Sequence, residues 1–374
     1  MFRNPMKKIL FSATALVAVV SLVLAGCGDD NDSEGADSSD KPLIVVTTNI
    51  LGDVVTNMVG DSFDVETIMP PGSDPHDFQA SAQQVQMMMS ADLLIVNGAN
   101  FEEGMLDVIE NAESDGVMIF EATSVISQLE GSDDHSDHGG HDDHDDHEGH
   151  DDHDEEKDHD DHEGHDDHDE EKDHDDHEGH DHDEEKDHDD HEGHDHGGID
   201  PHFFTDPARM AIVAQELSEV LAANFPDADQ GFVSTANDYV QQLQDLDSEV
   251  EETLSVISSD KRLLVTNHGV FAYFADRYSF TILGEIIPSS STLASASAQQ
   301  LASLAEEIKE SQVKAIFADA SSSDALAQTL ADEVNDVKVI NLYTESLGDP
   351  GSSGDSYIDM IRFNAEAIAS ALVE

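Results

Sequence analysis

Short runs of β-branched and aliphatic residues alternate with segments of helical spacing, and this alternation constrains the fold more than any other feature of the chain. The stretches KPLIVVTTN, DLLIVNG, RLLVTN and VKAIFAD read as buried strands, and a helix-like segment follows each of them. Strands that alternate with helices form βαβ units and therefore a largely parallel sheet. Because the pattern occurs in both halves of the chain, we expect two α/β lobes.

A long helical segment separates the two halves. Apolar residues recur at helical spacing from Phe232 to Ile257, which predicts one long helix of about thirty residues. We therefore predict an N-terminal lobe over residues 42–227, a rigid linking helix over 228–258 and a C-terminal lobe over 259–374. Ligands of open α/β sheets bind at the carboxyl ends of the strands, so we expect a ligand site in the cleft between the lobes.

The N-terminal residues have the layout of a bacterial lipoprotein signal. Residues 1–27 contain basic residues, then an apolar run, then the sequence LAGC that ends at Cys27. This is the only cysteine of the chain, which excludes an intramolecular disulfide and a thiolate zinc site. We expect lipidation at Cys27, a flexible tether over residues 28–41, and a location outside the cytoplasm, in the periplasm or at the cell surface.

A His- and Asp-rich insert occupies residues 131–198, where HDDHEGH occurs at 144, 159, 174 and 188. The insert contains no apolar side chain that could be buried, so we expect it to be disordered. Its histidines offer many weak metal ligands, which either gather zinc for a tighter site elsewhere or bind metal only incidentally. The formal net charge of the whole chain is −70, which excludes nucleic acid as a partner because phosphate would be repelled.

Outside the insert the chain has three histidines, His76, His202 and His268. The first two stand in the sequence Asp-Pro-His, and the third follows a predicted strand. A lone histidine is more often structural, but proline restricts the backbone beside it, and metal ligands need rigid loops. Three neutral imidazoles with a carboxylate or water suit Zn²⁺. The affinity of such a site falls as the pH drops toward the ordinary histidine pKa of about 6.5.

Motifs of nucleophilic catalysis are absent from the sequence. It has neither a serine at a strand-to-helix elbow nor an HExxH motif. We therefore predict a binding protein and not an enzyme. A zinc hydrolase with water at an open coordination position stays an alternative, because three histidines also occur in such enzymes.

The two Asp-Pro-His loops, then TNHGVFAYFADRY and then NLYTESLG occur in an order that resembles the ZnuA-type zinc-binding lipoproteins of ABC transporters. The resemblance extends from KPLIVVTTN to the C-terminal helix and includes the position of the His-rich insert. It implies two α/β lobes bridged by a rigid helix, Zn²⁺ as the transported ligand, and an ABC permease and its ATPase as partners of a monomer. Alternatives are Mn²⁺ or another divalent metal, a zinc buffer or chaperone, and an adhesin without a transporter.

The same resemblance implies a set of metal ligands. These are His76, His202, His268 and Glu345. Manganese-binding relatives tend to have a carboxylate where this chain has His268, which favours zinc. Glu345 stands where Asp is commoner in the family, and Asp319 is the alternative fourth ligand or a loop cap.

Four further residues near the predicted ligands are of interest. Asp74 and Asp200 are interpreted as partners of the histidines and not as ligands. Phe78 stands where the family usually has Tyr, and Phe204 where it commonly has Trp.

Overall fold

The structure is a computed structural model, and it describes residues 41–131 and 198–373. The predicted signal sequence with Cys27, almost all of the tether and almost all of the His-rich insert lie outside these residues. Within the described ranges, none of the helices combines the length and the apolar character that crossing a membrane requires.

The N-terminal half contains a sheet of four parallel strands with helices between them. The strands are β1 (Leu43–Val46), β2 (Asp64–Thr67), β3 (Leu93–Val96) and β4 (Ile119–Glu121), and the helices are α1 (Asn49–Val59), α2 (Ala82–Met89) and α3 (Leu106–Ser114). The order across the sheet is β2-β1-β3-β4. Ile44 and Val46 pack into one apolar cluster and Val45 into another, so both faces of β1 are covered.

The C-terminal half repeats this arrangement. Its strands are β5 (Leu263–Thr266), β6 (Thr281–Glu285), β7 (Ala315–Asp319) and β8 (Lys338–Leu342). Its helices are α6 (Ala272–Tyr278), α7 (Ala298–Ser311), α8 (Ala325–Val334) and α9 (Tyr357–Val373). The order across this parallel sheet is β6-β5-β7-β8. The predicted fold of two α/β lobes with parallel sheets is therefore confirmed.

Two helices, α4 (Pro207–Asn224) and α5 (Phe232–Leu254), connect the sheets. The buried stripe of α5 packs against α4, α1 and α9. At 23 residues, α5 is shorter than the thirty or so predicted. At its C-terminal end the guanidinium of Arg262 donates to the carbonyl of Leu254 at 3.1 Å, which satisfies a carbonyl without a partner in the helix, and to that of Ile257 at 3.3 Å. The proposed lobe boundaries at 227/228 and 258/259 stay predictions.

Both sheets have a position where the direction of winding reverses. In the first sheet it lies between β1 and β3, and in the second between β5 and β7. Loops that follow neighbouring strands diverge there and leave a crevice at the carboxyl edge of the sheet. A binding site is therefore expected at this carboxyl edge of the sheets.

The buried face of α5 is expected to stabilise the whole described fold. Leu243→Ala should lower the free energy of unfolding by about 2–5 kcal/mol, because the fully buried side chain leaves a cavity between α5 and its neighbours. Urea unfolding of the metal-free protein, followed by circular dichroism, measures the loss. The adjacent exposed Gln242→Ala should change stability by less than about 0.5 kcal/mol. Equal losses in the two variants would contradict the assignment.

Candidate metal centre

Loops at the carboxyl ends of strands contain three of the four residues expected to bind metal. His76 follows β2, His268 follows β5 and Glu345 follows β8, whereas His202 lies in the turn that leads into α4. All four side chains are buried. The histidines are 77 to 269 positions from Glu345 along the chain, so it is the topology that brings them together.

The three imidazoles converge on a single carboxylate oxygen. Nε2 of His76 and Nε2 of His268 each lie 2.9 Å from Oε1 of Glu345, and Nε2 of His202 lies 3.3 Å from it. One ligand atom from each of the four residues lies within 4.8 Å of all the others. A tetrahedral zinc ion with Zn–N distances of about 2.0–2.1 Å has ligands roughly 3.3 Å apart, which is comparable with these separations.

Both Asp-Pro-His sequences form the same local turn. The backbone N–H of His76 donates to Oδ1 of Asp74 at 3.0 Å, and that of His202 donates to Oδ1 of Asp200 at 2.8 Å. Aspartate favours this turn because its short side chain reaches the backbone two residues further on, and the intervening proline fixes φ. The motif thus determines the backbone at both histidines by an interaction confined to three residues.

Carboxylates hold the second ring nitrogen of two histidines. Nδ1 of His76 lies 2.9 Å from Oε1 of Glu103, and Nδ1 of His202 lies 2.8 Å from Oδ1 of Asp200. Partners of this kind fix the orientation of the ring and leave Nε2 free for a metal ion. Nδ1 of His268 is buried and has no hydrogen-bond partner among the described residues.

Glu103 was not singled out by the sequence analysis. It lies in a short turn between β3 and α3, in a stretch that the sequence predicts to be helical from Phe101 onward. The one signal that could have found it is an acidic residue shortly after the carboxyl end of a buried strand. By contrast, the interpretation of Asp200 as a partner of a histidine agrees with its two hydrogen bonds to His202.

Asp319, the alternative fourth ligand, lies at the end of β7 and outside the four-residue group. Its carboxylate accepts hydrogen bonds from the backbone N–H of Ser321 at 3.1 Å and from the hydroxyl of the same residue at 2.5 Å. Burial and the nearby charge of Glu345 raise the pKa of Asp319. In this structure Asp319 therefore acts as a loop cap.

The electrostatics of the group follow from burying one carboxylate among imidazoles. Burial acts to lower the pKa of His76, but the charge of Glu345 and the carboxylate on Nδ1 outweigh it and raise the pKa to about 10. Burial also opposes protonation of His202, whose pKa is nevertheless raised by Asp200 and Glu345. Burial acts to raise the pKa of Glu345, yet His268 and His76 hold it well below its usual value. The group therefore presents the ionised carboxylate of Glu345 to the imidazole of His76, which is protonated at neutral pH in the absence of metal.

Aromatic side chains form an apolar wall beside the histidines. The ring centroid of Phe101 lies 5.1 Å from that of His76 and 5.4 Å from that of His202, and the buried Phe204 ring lies 5.9 Å from His202. Phe78 is half-buried and packs in the apolar cluster that contains Val45. Apolar surroundings exclude water and strengthen the electrostatic interactions of a bound ion.

The zinc-uptake complex component A periplasmic (ZnuA) family matches residues 44–371 of the chain. The manganese ABC transporter substrate-binding lipoprotein PsaA of Streptococcus anginosus is 24% identical over 98% of this chain and 99% of that protein. The metal ABC transporter substrate-binding lipoprotein ScbA of Streptococcus cristatus is 26% identical over the same shares, 98% and 99%. The periplasmic zinc-binding protein TroA from Treponema pallidum has a similar fold, with a TM-score of 0.66 at 23% identity, covering 89% of this chain and 99% of that one.

The two-lobed fold and the buried cluster at the strand ends define a substrate-binding component of a metal-uptake system. Because the match extends over almost the entire chain, the protein belongs to the ZnuA family, and the resemblance seen in the sequence is confirmed. The family is described as periplasmic, and the relatives are named lipoproteins. The expected location outside the cytoplasm and anchored at the membrane is therefore also confirmed.

The pKa of His76 provides a test of the site's hydrogen bonds. Glu103→Gln should lower this pKa from its value of about 10, because the substitution removes the negatively charged carboxylate that contacts Nδ1 of His76. An NMR titration of the His76 ring in the metal-free protein gives the midpoint. Glu110→Gln, on the exposed face of α3, should leave it unchanged. A midpoint in Glu103→Gln equal to that of the wild type would contradict the assigned contact.

Proposed function

We propose that the protein captures Zn²⁺ outside the cytoplasm and delivers it to the permease and ATPase of an ABC transporter. Membership of a metal-uptake family supports the transport role. The ion is the transported substrate, and no chemical step is needed, since binding and release suffice. Three histidines and one glutamate from separate loops provide the binding site.

In this proposal the ligands are the Nε2 atoms of His76, His202 and His268 and the carboxylate of Glu345. Their convergence is the single observation that carries the proposal. Zn²⁺ must displace protons from the imidazoles, so its affinity decreases as the pH falls. The ionised carboxylate needs no such displacement, because its pKa is already held low.

The choice of metal follows from the donor atoms. Three imidazole nitrogens and one carboxylate suit Zn²⁺, whereas Mn²⁺ favours oxygen ligands. Manganese is the second candidate, because PsaA is named a manganese protein while TroA is named a zinc-binding protein. The family resemblance seen in the sequence implies a carboxylate at the position of His268 in manganese-binding members, whereas this chain has the imidazole. The extra nitrogen donor supports zinc.

The proposed membrane anchor is a lipid on Cys27, at the end of the predicted signal sequence. Residues 28–41 would then separate the lipid from the first strand. The lipoprotein names of the relatives support this arrangement. Mass spectrometry of the mature N-terminal peptide tests it, and an unmodified Cys27 would contradict it.

We also propose that the His-rich insert, residues 131–198, gathers zinc weakly for the tight site. Its two ends meet in an isolated antiparallel bridge between Glu130 and Ile199, and the N–H of Gly131 donates to the carbonyl of Gly198 at 2.9 Å. The insert therefore leaves the described fold and returns to it at the same place, and the return at Ile199 lies three residues before His202. That closeness supports a supply of ions to the site and does not require the insert to be ordered.

The metal site is tested in a variant that lacks residues 133–196, so that the repeat contributes no histidine. Calorimetric titration should give one tight Zn²⁺ site, and His202→Ala in the same background should weaken it more than about 100-fold, since one of four ligands is lost. Gln242→Ala is the matched control and should leave the affinity unchanged. Absence of a tight site would contradict the proposal, and tighter binding of Mn²⁺ than of Zn²⁺ would favour the second candidate.

The role of the insert is tested in cells that contain only this zinc-uptake system. Deletion of residues 133–196 should slow growth at the lowest zinc concentrations and leave it unchanged at higher ones, because weak ligands matter only when the free ion is scarce. Growth curves over a series of zinc concentrations measure the effect. Unchanged growth at the lowest concentration would support incidental metal binding by the insert.

A further inference from the structure

The side-chain amide of Asn49, the first residue of α1, joins two loops of the metal site. Its Nδ2 donates to the carbonyl of Pro70 at 3.0 Å and to the hydroxyl of Ser346 at 2.8 Å. Its Oδ1 accepts from the backbone N–H of Leu347 at 2.8 Å. Pro70 belongs to the loop that leads to the first histidine, while the other two partners directly follow Glu345.

A second connection reinforces the first. The backbone N–H of Gly72 lies 2.8 Å from the Oγ of Ser346 and 3.2 Å from the carbonyl oxygen of Leu347. The loop that follows β2 is therefore tied to the loop that follows β8 by both backbone and side-chain groups. The first loop contains His76 and the second contains Glu345, so these hydrogen bonds hold the loops of two proposed ligands together.

The start of α1 is itself well defined. Thr48 precedes the helix and its side chain accepts from the N–H of Leu51 at 3.3 Å, which fixes the backbone at Asn49. The Asn49 side chain is buried and combines a donor and an acceptor in one rigid plane. Alanine at this position would leave the N–H of Leu347 and its neighbours without their partner in a buried environment.

Glu345 depends on this support more than the histidines do. Oε1 of Glu345 contacts the three imidazoles, but its Oε2 is buried without a hydrogen-bond partner among the described residues. Two of the histidines have a carboxylate that orients the ring, whereas among the described residues only the imidazoles themselves contact the carboxylate of Glu345, through Oε1. Apart from those contacts, the backbone determines its position, and Asn49 binds the residues one and two positions further on.

We infer that Asn49 is a positioning residue of the metal site. By holding Ser346 and Leu347, its side-chain amide places the carboxylate of Glu345 against the three imidazoles and so increases the affinity for Zn²⁺. Asn49 does not bind the ion. The inference rests on the proposed function, because it concerns the same site.

The test uses the protein without residues 133–196 and measures the Zn²⁺ affinity of four variants. Asn49→Ala should weaken binding roughly 10- to 100-fold, as is usual for groups that hold a metal ligand. Ser346→Ala, which removes only the hydroxyl, should weaken it about 2- to 10-fold and provides a second test if Asn49→Ala folds poorly. Asn57→Ala, at an exposed position of the same helix, should bind as the wild type does.

The fourth variant, Glu345→Gln, separates positioning from a general structural effect. If Asn49 acts through Glu345, adding Asn49→Ala to Glu345→Gln should weaken binding further by less than about threefold. The visible absorption of the Co²⁺-loaded Asn49→Ala protein should also shift toward that of Glu345→Gln, because both have an altered carboxylate ligand. A full additional loss in the double variant, or an unshifted spectrum, would overturn the inference.

The wild-type titration distinguishes this inference from the proposed function. If the wild-type protein has no tight Zn²⁺ site, the proposed function fails, and the positioning role fails with it. If the wild type binds Zn²⁺ tightly and both Asn49→Ala and Ser346→Ala bind equally well, the positioning role alone is wrong.

Discussion

The contact between one carboxylate oxygen and three imidazole nitrogens is the interaction on which the rest of the structure depends. Burying an ionised carboxylate is costly unless it is paired and hydrogen-bonded. Here Oε1 of Glu345 has three nitrogen neighbours, from both sequence halves and from the turn before α4. Each loop must therefore be placed accurately, and the hydrogen bonds around the site serve that placement.

The parallel sheets make this placement feasible. Both have the same strand order, so the loops after β2, β5 and β8 all emerge at carboxyl edges. Side chains from separate short loops can then meet in one buried site. The helix α5 keeps the two sheets in a fixed arrangement by packing against helices of both halves, α1 and α9. Rigid support of this kind suits a protein whose task is to hold an ion with a defined set of donors.

Local sequence explains part of the site in physical terms. The Asp-Pro-His turns at His76 and His202 need only three consecutive residues, so their rigidity could be predicted from the motif. The importance of the three histidines could also be predicted, because the chain has no others outside the His-rich insert. The proposed metal-ligand role of Glu345 came from the family resemblance and not from any local pattern. Its meeting with all three histidines appears only in the folded chain.

The sequence by itself determined the alternation of strands and helices. Strands that are buried on both faces are continuous apolar runs, and helices with one buried face have apolar residues at helical spacing, so both can be identified from the order of residues. The sequence overestimated the length of α5, which is shorter than predicted at both ends. At the C-terminal end the guanidinium of Arg262, from the next segment, caps the carbonyl of Leu254. Only the tertiary structure showed the contact of Glu103 with Nδ1 of His76 and the hydrogen bond of Asn49 to the loop that contains Glu345. These contacts span 27 and 298 positions. Neither periodicity nor a turn motif encodes pairs that far apart, because they form only when the chain has folded.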